Sequence, residues 1–198
     1  SHMGITIRAV GGYNEIGRNM TAINIDDEVI ICDMGIHPEN YIRYTQDEDV
    51  VNLSSDILIA EQAVPDIAII HEWEGRVKAI IPTHAHLDHI GAIPFLAHFY
   101  NAPVICTPFS AAVIKAIIKD EGIKLPNQIK LLNPNSTIKI SDKISVEFVG
   151  MTHSTPQTVM LAIHTKYGVI LYANDFKFDI YPTLGLKPNI ERLKELGN

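Results

Sequence analysis

The chain has 198 residues, of which 46% are hydrophobic and 20% are charged, enough to bury the core of one large domain or two small ones. Its formal net charge is −7, and its lysines and arginines form no cluster, which argues against a broad basic surface for nucleic acid. No apolar run approaches the roughly 20 residues that a membrane-spanning helix needs, and no secretory signal is visible, so a membrane partner is not expected.

Residues 1–3 resemble the scar of a cleaved expression tag, so the fold is sought in residues 4–198. The two cysteines, Cys32 and Cys106, each lie in a strand-like apolar run. Two unpaired core thiols suit a reducing compartment, and the cytoplasm is therefore the expected location. A disulfide between them is the alternative.

The N-terminal third is typical of a β-meander. Short runs rich in β-branched residues predict three strands, at 5–10, 20–25 and 28–33. The polar, aperiodic stretch 34–53 predicts a long surface loop. Residues 54–56, Ser-Ser-Asp, predict the start of a helix whose extent Pro65 limits.

Strands and helices alternate from residue 77 onwards. A buried strand at 77–81 precedes a helix at about 89–99, and a strand at 104–106 precedes a helix at 108–120. Five further strands are predicted, at 129–132, 137–140, 144–149, 159–165 and 169–173. This order predicts an α/β protein in which two mixed sheets pack together with helices outside, an αββα layering.

Four residues of metal-ligand type lie within six positions, directly after the strand at 77–81. His84 and His86 lie two apart on extended chain, so they point the same way and can share one metal. Asp88 and His89, at the turn into the next helix, can reach a second. Imidazole and carboxylate groups are the ligands of catalytic zinc sites. The spacing predicts a metal site rather than unrelated solvated loop residues.

Two further candidate ligands follow strands. His153 comes after the strand at 144–149 and Asp175 after the strand at 169–173, so both can face the same edge of the sheets. A carboxylate can bridge two cations, which is the role assigned to Asp175, and His153 would complete the shell of the first metal. An ordinary turn role is the alternative for each.

Asp33 ends the third strand and is expected to accept hydrogen bonds that fix the histidine loop, with Thr83 in the same supporting role. A simple turn carboxylate is the alternative reading of Asp33. The remaining histidines beyond the tag have no ligand spacing: His37, His71, His98 and His164. His98 and His164 are assigned to packing or to the surface, and lining of the cleft is an alternative for His37.

The pattern H-x-H-x-D-H with a later histidine and aspartate resembles the metallo-β-lactamase superfamily. The stretch GGYNEIGRN at 11–19 is similar to the opening loop of its RNA-cleaving β-CASP branch. The stretch DFKFD at 175–179, with His153-Ser154-x-Pro156, is similar to ribonuclease J, and the lead-in YAN at 172–174 is similar to the archaeal form. The resemblance runs from residue 5 to about residue 196.

This resemblance implies a zinc-dependent ribonuclease with RNA as its substrate. It implies hydrolysis of phosphodiester bonds that can proceed 5′ to 3′, with endonucleolytic cleavage left open. Two zinc ions are implied, with manganese as the alternative metal, and they would lower the pKa of the attacking water. Their charge would also reverse the sign of this acidic chain locally.

The resemblance also implies a role for each site residue. One zinc takes His84, His86 and His153, the other takes Asp88 and His89, and Asp175 bridges them, which gives Asp88 and Asp175 the catalytic role. Three loop residues could position phosphate or ribose, with loop capping as the equal alternative: Asn14, Asn19 and Ser154.

The chain departs from the family pattern at two tolerable positions, Gln157 in place of an acidic residue and Ala92 in place of a glycine. More important, the family continues into a β-CASP domain and then returns to complete the sandwich and the second zinc site. We therefore expect an incomplete sandwich, the N-terminal portion alone, with a weakened second site and little nuclease activity of its own. Unfinished sheet edges would favour self-association, for example as a homodimer.

Two other functions stay open. Another hydrolase of the same fold, such as a thioesterase, would share the H-x-H-x-D-H loop. A non-catalytic RNA-binding scaffold would retain the fold but lose several ligands, whereas this chain keeps all six that fall within its span. A thiolester assay beside an RNA assay separates the first alternative, and zinc analysis separates the second.

Overall fold

The computed structural model describes residues 3–13, 15, 17–46, 54–152, 155–173 and 179–181. For residues 179–181 it describes the backbone alone. Within these residues two sheets form. The first has six strands in the order β1-β2-β3-β4-β5-β6: β1 (Ile5–Gly11), β2 (Met20–Ile25), β3 (Glu28–Cys32), β4 (Val77–Ile81), β5 (Val104–Cys106) and β6 (Ile129–Leu131). The second has five in the order β11-β10-β9-β8-β7: β7 (Thr137–Lys139), β8 (Ser145–Gly150), β9 (Val159–Thr165), β10 (Gly168–Tyr172) and β11 (Asp179–Tyr181).

The first sheet is mixed and the second is antiparallel. Strands β1 to β3 pair antiparallel, and β3 to β6 pair parallel, so β3 and β4 end at the same edge of the first sheet. All four pairings of the second sheet are antiparallel. The predicted ligands of the histidine loop follow β4, at the edge where β3 and β4 end.

The alternation of side chains along β3 divides the apolar core between two faces. Val29 and Ile31 belong to a cluster on the outer face of the first sheet, where helices cover it. Ile30 and Cys32 belong to the cluster between the two sheets. Because both faces are buried, the strand is apolar from Val29 to Cys32 instead of alternating with polar residues.

Five α-helices are described: α1 (Pro38–Thr45), α2 (Ser55–Ala60), α3 (Leu87–Ile90), α4 (Ile93–Leu96) and α5 (Pro108–Glu121), together with 3₁₀ segments at Ile67–Arg76 and Ala97–Phe99. The ends of α5 follow from its sequence. The Thr107 hydroxyl accepts from the Ser110 N–H at 3.3 Å, and Gly122 closes the helix with a φ of 65°.

The predicted pair of sheets and the helix start at Ser54 are confirmed, whereas two local predictions were wrong. Residues 38–45 form α1 within the stretch predicted as a loop, with Pro38 in the first turn and the His37 ring capping the Asn40 N–H at 3.1 Å. The helix predicted at 89–99 is broken into α3, α4 and a 3₁₀ turn. Pro94 lacks the N–H that a continuous helix would need there.

Asp26 ties the two sheets together at the edge opposite the histidine loop. Its Oδ1 accepts from the Gly4 N–H at 2.7 Å and from the Tyr167 hydroxyl at 2.7 Å, and its Oδ2 lies 3.2 Å from Lys166 Nζ. The Gly4 N–H, the Tyr167 hydroxyl and the Lys166 ammonium together lower the pKa of Asp26 to about 2. This carboxylate therefore favours the folded state only while it is ionised.

The Asp26 contacts predict a pH-dependent stability. The depressed pKa contributes stability that is present above the ordinary value of 3.8 and is lost as the pH falls to about 2. We expect Asp26→Asn to lower Tm by several degrees at pH 7 and the difference to vanish near pH 2. Asp142→Asn is the control, because Asp142 is almost fully exposed beside Lys139. An equal loss at all pH values would contradict this role for the charge.

Candidate metal centre

The histidine loop connects the end of β4 to α3. The loop starts at Thr83, and the backbone of Thr83 donates a hydrogen bond to a residue next to the first sheet and accepts one from a residue of the second. The Thr83 N–H donates to Asp33 Oδ1 at 2.7 Å, and the Thr83 carbonyl accepts from the Val159 N–H at 2.9 Å. The loop is thus fixed against the end of β3 and against the start of β9.

Three predicted ligands of this loop converge. One ligand atom each from His84, Asp88 and His89 lies within 4.8 Å of the other two. His84 and His89 are almost fully buried, at 1% and 3% exposure, while Asp88 is half-buried. Two imidazoles and a carboxylate form a donor set that suits a divalent transition metal.

His86, the fourth ligand-type residue of the loop, faces His84. Its Nδ1 lies 3.1 Å from His84 Nε2. Two nitrogens bound at ~2.0 Å to one tetrahedral zinc ion would be about 3.3 Å apart. The observed separation therefore fits a pair of imidazoles around one ion, and the residues present fit the metal that the sequence predicts.

The carboxylate of Asp33 accepts several hydrogen bonds that fix the histidine loop. Its Oδ1 accepts from the Thr83 N–H, and the Thr83 hydroxyl lies 3.0 Å from both of its oxygens. Its Oδ2 accepts from His89 Nδ1 at 2.8 Å and from the Tyr172 hydroxyl at 3.0 Å. Asp33 is fully buried and adopts a left-handed backbone with a φ of 66°, which turns the chain at the end of β3.

Two opposing effects set the pKa of Asp33. Burial disfavours the charged carboxylate, but the nearby His89 ring, the Thr83 N–H and His84 outweigh this and lower the pKa. Since Asp33 accepts from His89 Nδ1, the opposite nitrogen, Nε2, carries the lone pair of the neutral ring. That Nε2 lies 3.8 Å from Asp88 Oδ2, so the hydrogen bond directs a ligand atom toward the other ligands.

Backbone contacts hold the segment after Asp33 against the loop. The Met34 N–H donates to the His89 carbonyl at 2.8 Å, and the Ile36 N–H donates to the Leu87 carbonyl at 3.0 Å. Between them, Gly35 packs so closely that an added Cβ would lie 1.6 Å from the Asp88 carbonyl oxygen. Only glycine fits at this position.

Asn19 bridges the glycine-rich loop and the histidine loop. Its Nδ2 donates to the Asp88 carbonyl at 2.9 Å and lies 3.3 Å from His89 Nε2. Its backbone N–H also donates to the Asp88 carbonyl, at 3.1 Å. These contacts support the loop, and a contact between Asn19 and substrate stays a prediction.

Four predicted site residues lie outside the described residues, and their roles stay predictions: Asn14, His153, Ser154 and Asp175. The strands that precede two of them do reach the candidate centre. Gly150, at the end of β8, pairs with Val159, whose N–H contacts the histidine loop. Tyr172, at the end of β10, contacts Asp33.

The sequence pattern of the metallo-beta-lactamase superfamily matches residues 14–188, most of the chain. The chain belongs to this superfamily. The solved metallo-beta-lactamase fold protein YhfI from Bacillus subtilis superposes with a TM-score of 0.53 at 12% identity, covering 85% of this chain and 61% of that one. At such low identity the likeness bears on the fold alone, and it confirms the predicted two-sheet α/β architecture.

Two of the similar proteins are archaeal. The chain is 43% identical over 196 residues to "Ribonuclease J" of Methanocaldococcus jannaschii, covering 98% of this chain and 44% of that protein. It is 39% identical to "Ribonuclease J" of Pyrococcus abyssi, covering 98% of this chain and 43% of that protein. The chain therefore spans less than half the length of these relatives, and as a metallo-beta-lactamase fold it is partial relative to them.

Three residues that support the candidate metal centre were not predicted in that role: Gly35, Asn19 as a partner of Asp88, and Tyr172. A tyrosine within the otherwise apolar strand β10 was the available signal for Tyr172, because a buried phenol hydroxyl usually has a partner. Gly35 directly after Asp33-Met34 was a weaker signal of close backbone packing.

Proposed function

We propose that this chain carries the histidine loop of a zinc-dependent ribonuclease that hydrolyses phosphodiester bonds in RNA. The observation that supports this most is the convergence of His84, His86, Asp88 and His89 at one sheet edge, in a chain 43% identical to a ribonuclease J. Cleavage from the 5′ end is the proposed main mode, with endonucleolytic cleavage as a second mode.

The proposed ligands form two groups. His84, His86 and His153 would hold one zinc ion, and Asp88 and His89 would hold the second, with Asp175 between the two ions. The contact between His84 and His86 supports the first group, and the hydrogen bond from His89 to Asp33 supports the second by directing Nε2 toward Asp88. Divalent cations bound there supply positive charge that lowers the pKa of water and stabilises negative charge on phosphoryl oxygens.

The residues of the chain then have separate tasks. Asp33 and Thr83 hold the loop, and the buried His84 and His89 present ring nitrogens without competition from bulk water. Asp88 is the more accessible of the ligands near His89, which suits a group close to the reacting phosphate. Asn14, Asn19 and Ser154 are proposed to lie near the substrate.

A cytoplasmic location fits this function. Both cysteines are free and fully buried. Burial raises the pKa of the Cys106 thiol to about 12, so it stays protonated and unreactive. Among the described residues, no helix has the length and apolar character that crossing a bilayer requires.

The sheet edges support the proposed homodimer. Strand β6 lies at one edge of the first sheet, so its outward-facing backbone N–H and carbonyl groups are available to pair with a second copy of the chain.

Removal of a ligand from the loop is expected to abolish tight zinc binding. Removing a residue that hydrogen-bonds to a metal ligand lowers metal affinity roughly 10–100-fold. His84→Ala removes a proposed ligand itself, so zinc affinity should fall by more than about 100-fold. Elemental analysis after dialysis and competition titration with a chelating dye measure this loss. His98→Ala is the matched control, because His98 is exposed and outside the loop. Equal zinc content in the two variants would contradict the proposed site.

The activity itself is tested on the intact protein. We expect zinc-dependent degradation of a 5′-monophosphorylated RNA, lost in the His84→Ala variant and retained in the His98→Ala variant. A thiolester substrate assayed in parallel identifies another hydrolase of the superfamily. Stoichiometric zinc without cleavage of either substrate would contradict the proposal, and absence of zinc would favour a scaffold.

A further inference from the structure

Tyr172 is a buried phenol whose packing does not need its hydroxyl. It ends β10, is 1% exposed and belongs to the apolar cluster between the two sheets, with Cys32 and Ile81 in the same cluster. Phenylalanine would provide the same ring at this position. The polar atom therefore needs a separate explanation, because burying a hydroxyl costs free energy unless it is hydrogen-bonded.

The hydroxyl of Tyr172 shares one oxygen atom with a candidate metal ligand. It donates to Asp33 Oδ2 at 3.0 Å, and the same oxygen accepts from His89 Nδ1 at 2.8 Å. Burial first, and then the neighbouring Asp33 carboxylate, raise the pKa of Tyr172 well above its ordinary value. The phenol therefore remains a donor, and it holds Oδ2 in the position from which it orients the His89 ring.

The same hydrogen bond joins the two sheets at the metal centre. Asp33 follows β3 of the first sheet, whereas Tyr172 ends β10 of the second, and the two residues lie 139 positions apart in the sequence. A backbone hydrogen bond from Val159 to Thr83 makes a second connection nearby. The predicted bridging ligand, Asp175, comes three residues after Tyr172 in the chain.

We infer that Tyr172 is a positioning residue of the metal centre, which acts through Asp33 on the orientation of His89 and on the alignment of the second sheet with the histidine loop. This inference rests on the proposed metal centre but not on the cleavage of RNA. It assigns to the hydroxyl a role that packing of the ring does not fulfil.

Tyr172→Phe tests this role, because it removes the hydroxyl and keeps the ring. In the metal-free chain, the ¹⁵N signals of the His89 ring should move toward those of a ring that exchanges between its two tautomers. Zinc affinity, measured by competition with a chelating dye, should fall about tenfold, the lower end of the range for groups behind a metal ligand.

Tyr100→Phe is the matched control. Tyr100 is also buried, at 3% exposure, but it lies in the cluster on the outer face of the first sheet. We expect the His89 signals and the zinc affinity of this variant to equal those of the unsubstituted chain. Unchanged His89 signals and zinc affinity within twofold in folded Tyr172→Phe would overturn the inference, as would equal effects in both variants.

A measurement on the unsubstituted chain covers the case in which Tyr172→Phe does not fold. The Tyr172 hydroxyl proton should exchange slowly with water and show a nuclear Overhauser effect to the His89 ring N–H. Fast exchange without that effect overturns the inference. A chain that binds zinc and shows both signals, but whose intact protein cleaves no RNA, contradicts only the proposed function, whereas failure to bind zinc overturns both.

Discussion

Replacement of Gly35 with alanine is expected to disrupt the histidine loop more than any other single methyl addition at a described glycine. The new Cβ would lie 1.6 Å from the Asp88 carbonyl oxygen and 2.7 Å from the His89 backbone nitrogen. Both are backbone atoms, so no side-chain rotation relieves the overlap, and the loop must move. We expect a loss of about 3 kcal/mol or more in the free energy of unfolding, the upper part of the range for overpacked sites.

Urea unfolding measures the loss of stability in Gly35→Ala, and zinc titration measures the effect of the displaced loop on metal binding. Gly75→Ala is the matched control, because an added Cβ at Gly75 meets no atom within 4 Å. Gly35 does not adopt a left-handed backbone, so the difference between the variants reports steric overlap rather than backbone strain. A Gly35→Ala protein with unchanged stability and zinc affinity would show that the loop does not pack against this segment.

Replacement of Asp33 with alanine has the second large expected effect. It leaves the buried His89 ring, the Thr83 N–H and the Tyr172 hydroxyl without their common acceptor. Leaving a buried hydrogen-bonding group unsatisfied costs roughly 1–3 kcal/mol, and three such groups are affected, so we expect a loss of about 3 kcal/mol or more in the free energy of unfolding. Zinc affinity should fall roughly 10–100-fold, because the His89 ring is no longer oriented.

Asp33→Asn separates the charge of this residue from its shape. Asparagine tolerates the left-handed backbone that Asp33 adopts, and it retains one carbonyl oxygen as an acceptor. We expect its stability and zinc affinity, measured as for the alanine variant, to lie between those of the unsubstituted chain and Asp33→Ala. If the asparagine variant bound zinc as tightly as the unsubstituted chain, the charge of Asp33 would have no part in orienting His89.

The sequence predicted much of the fold because the signals for strands are local. The β-branched runs of β2, β3 and β4 indicated strands, and the structure confirms them. Helices were predicted less well. The polar run around α1 hides a helix of only eight residues with no fully buried residue, so its apolar periodicity extends over little more than two turns.

The candidate ligands of the histidine loop could also be recognised from local spacing. Positions 84 and 86 on extended chain, and 88 and 89 at a helix start, are close in space because they are close in sequence. The structure brings three of these ligand atoms within 4.8 Å of one another. The roles of His153 and Asp175 depend on distant parts of the chain and remain predictions.

By itself, then, the sequence of this chain determined which residues form strands and which side chains can bind a metal, since both properties arise from neighbouring residues. Only the tertiary structure decided how the loop is held. Asn19 reaches Asp88 across 69 positions and Tyr172 reaches Asp33 across 139. These contacts depend on how strands from distant parts of the chain pair and how the two sheets pack, and no local pattern of residues encodes such distances.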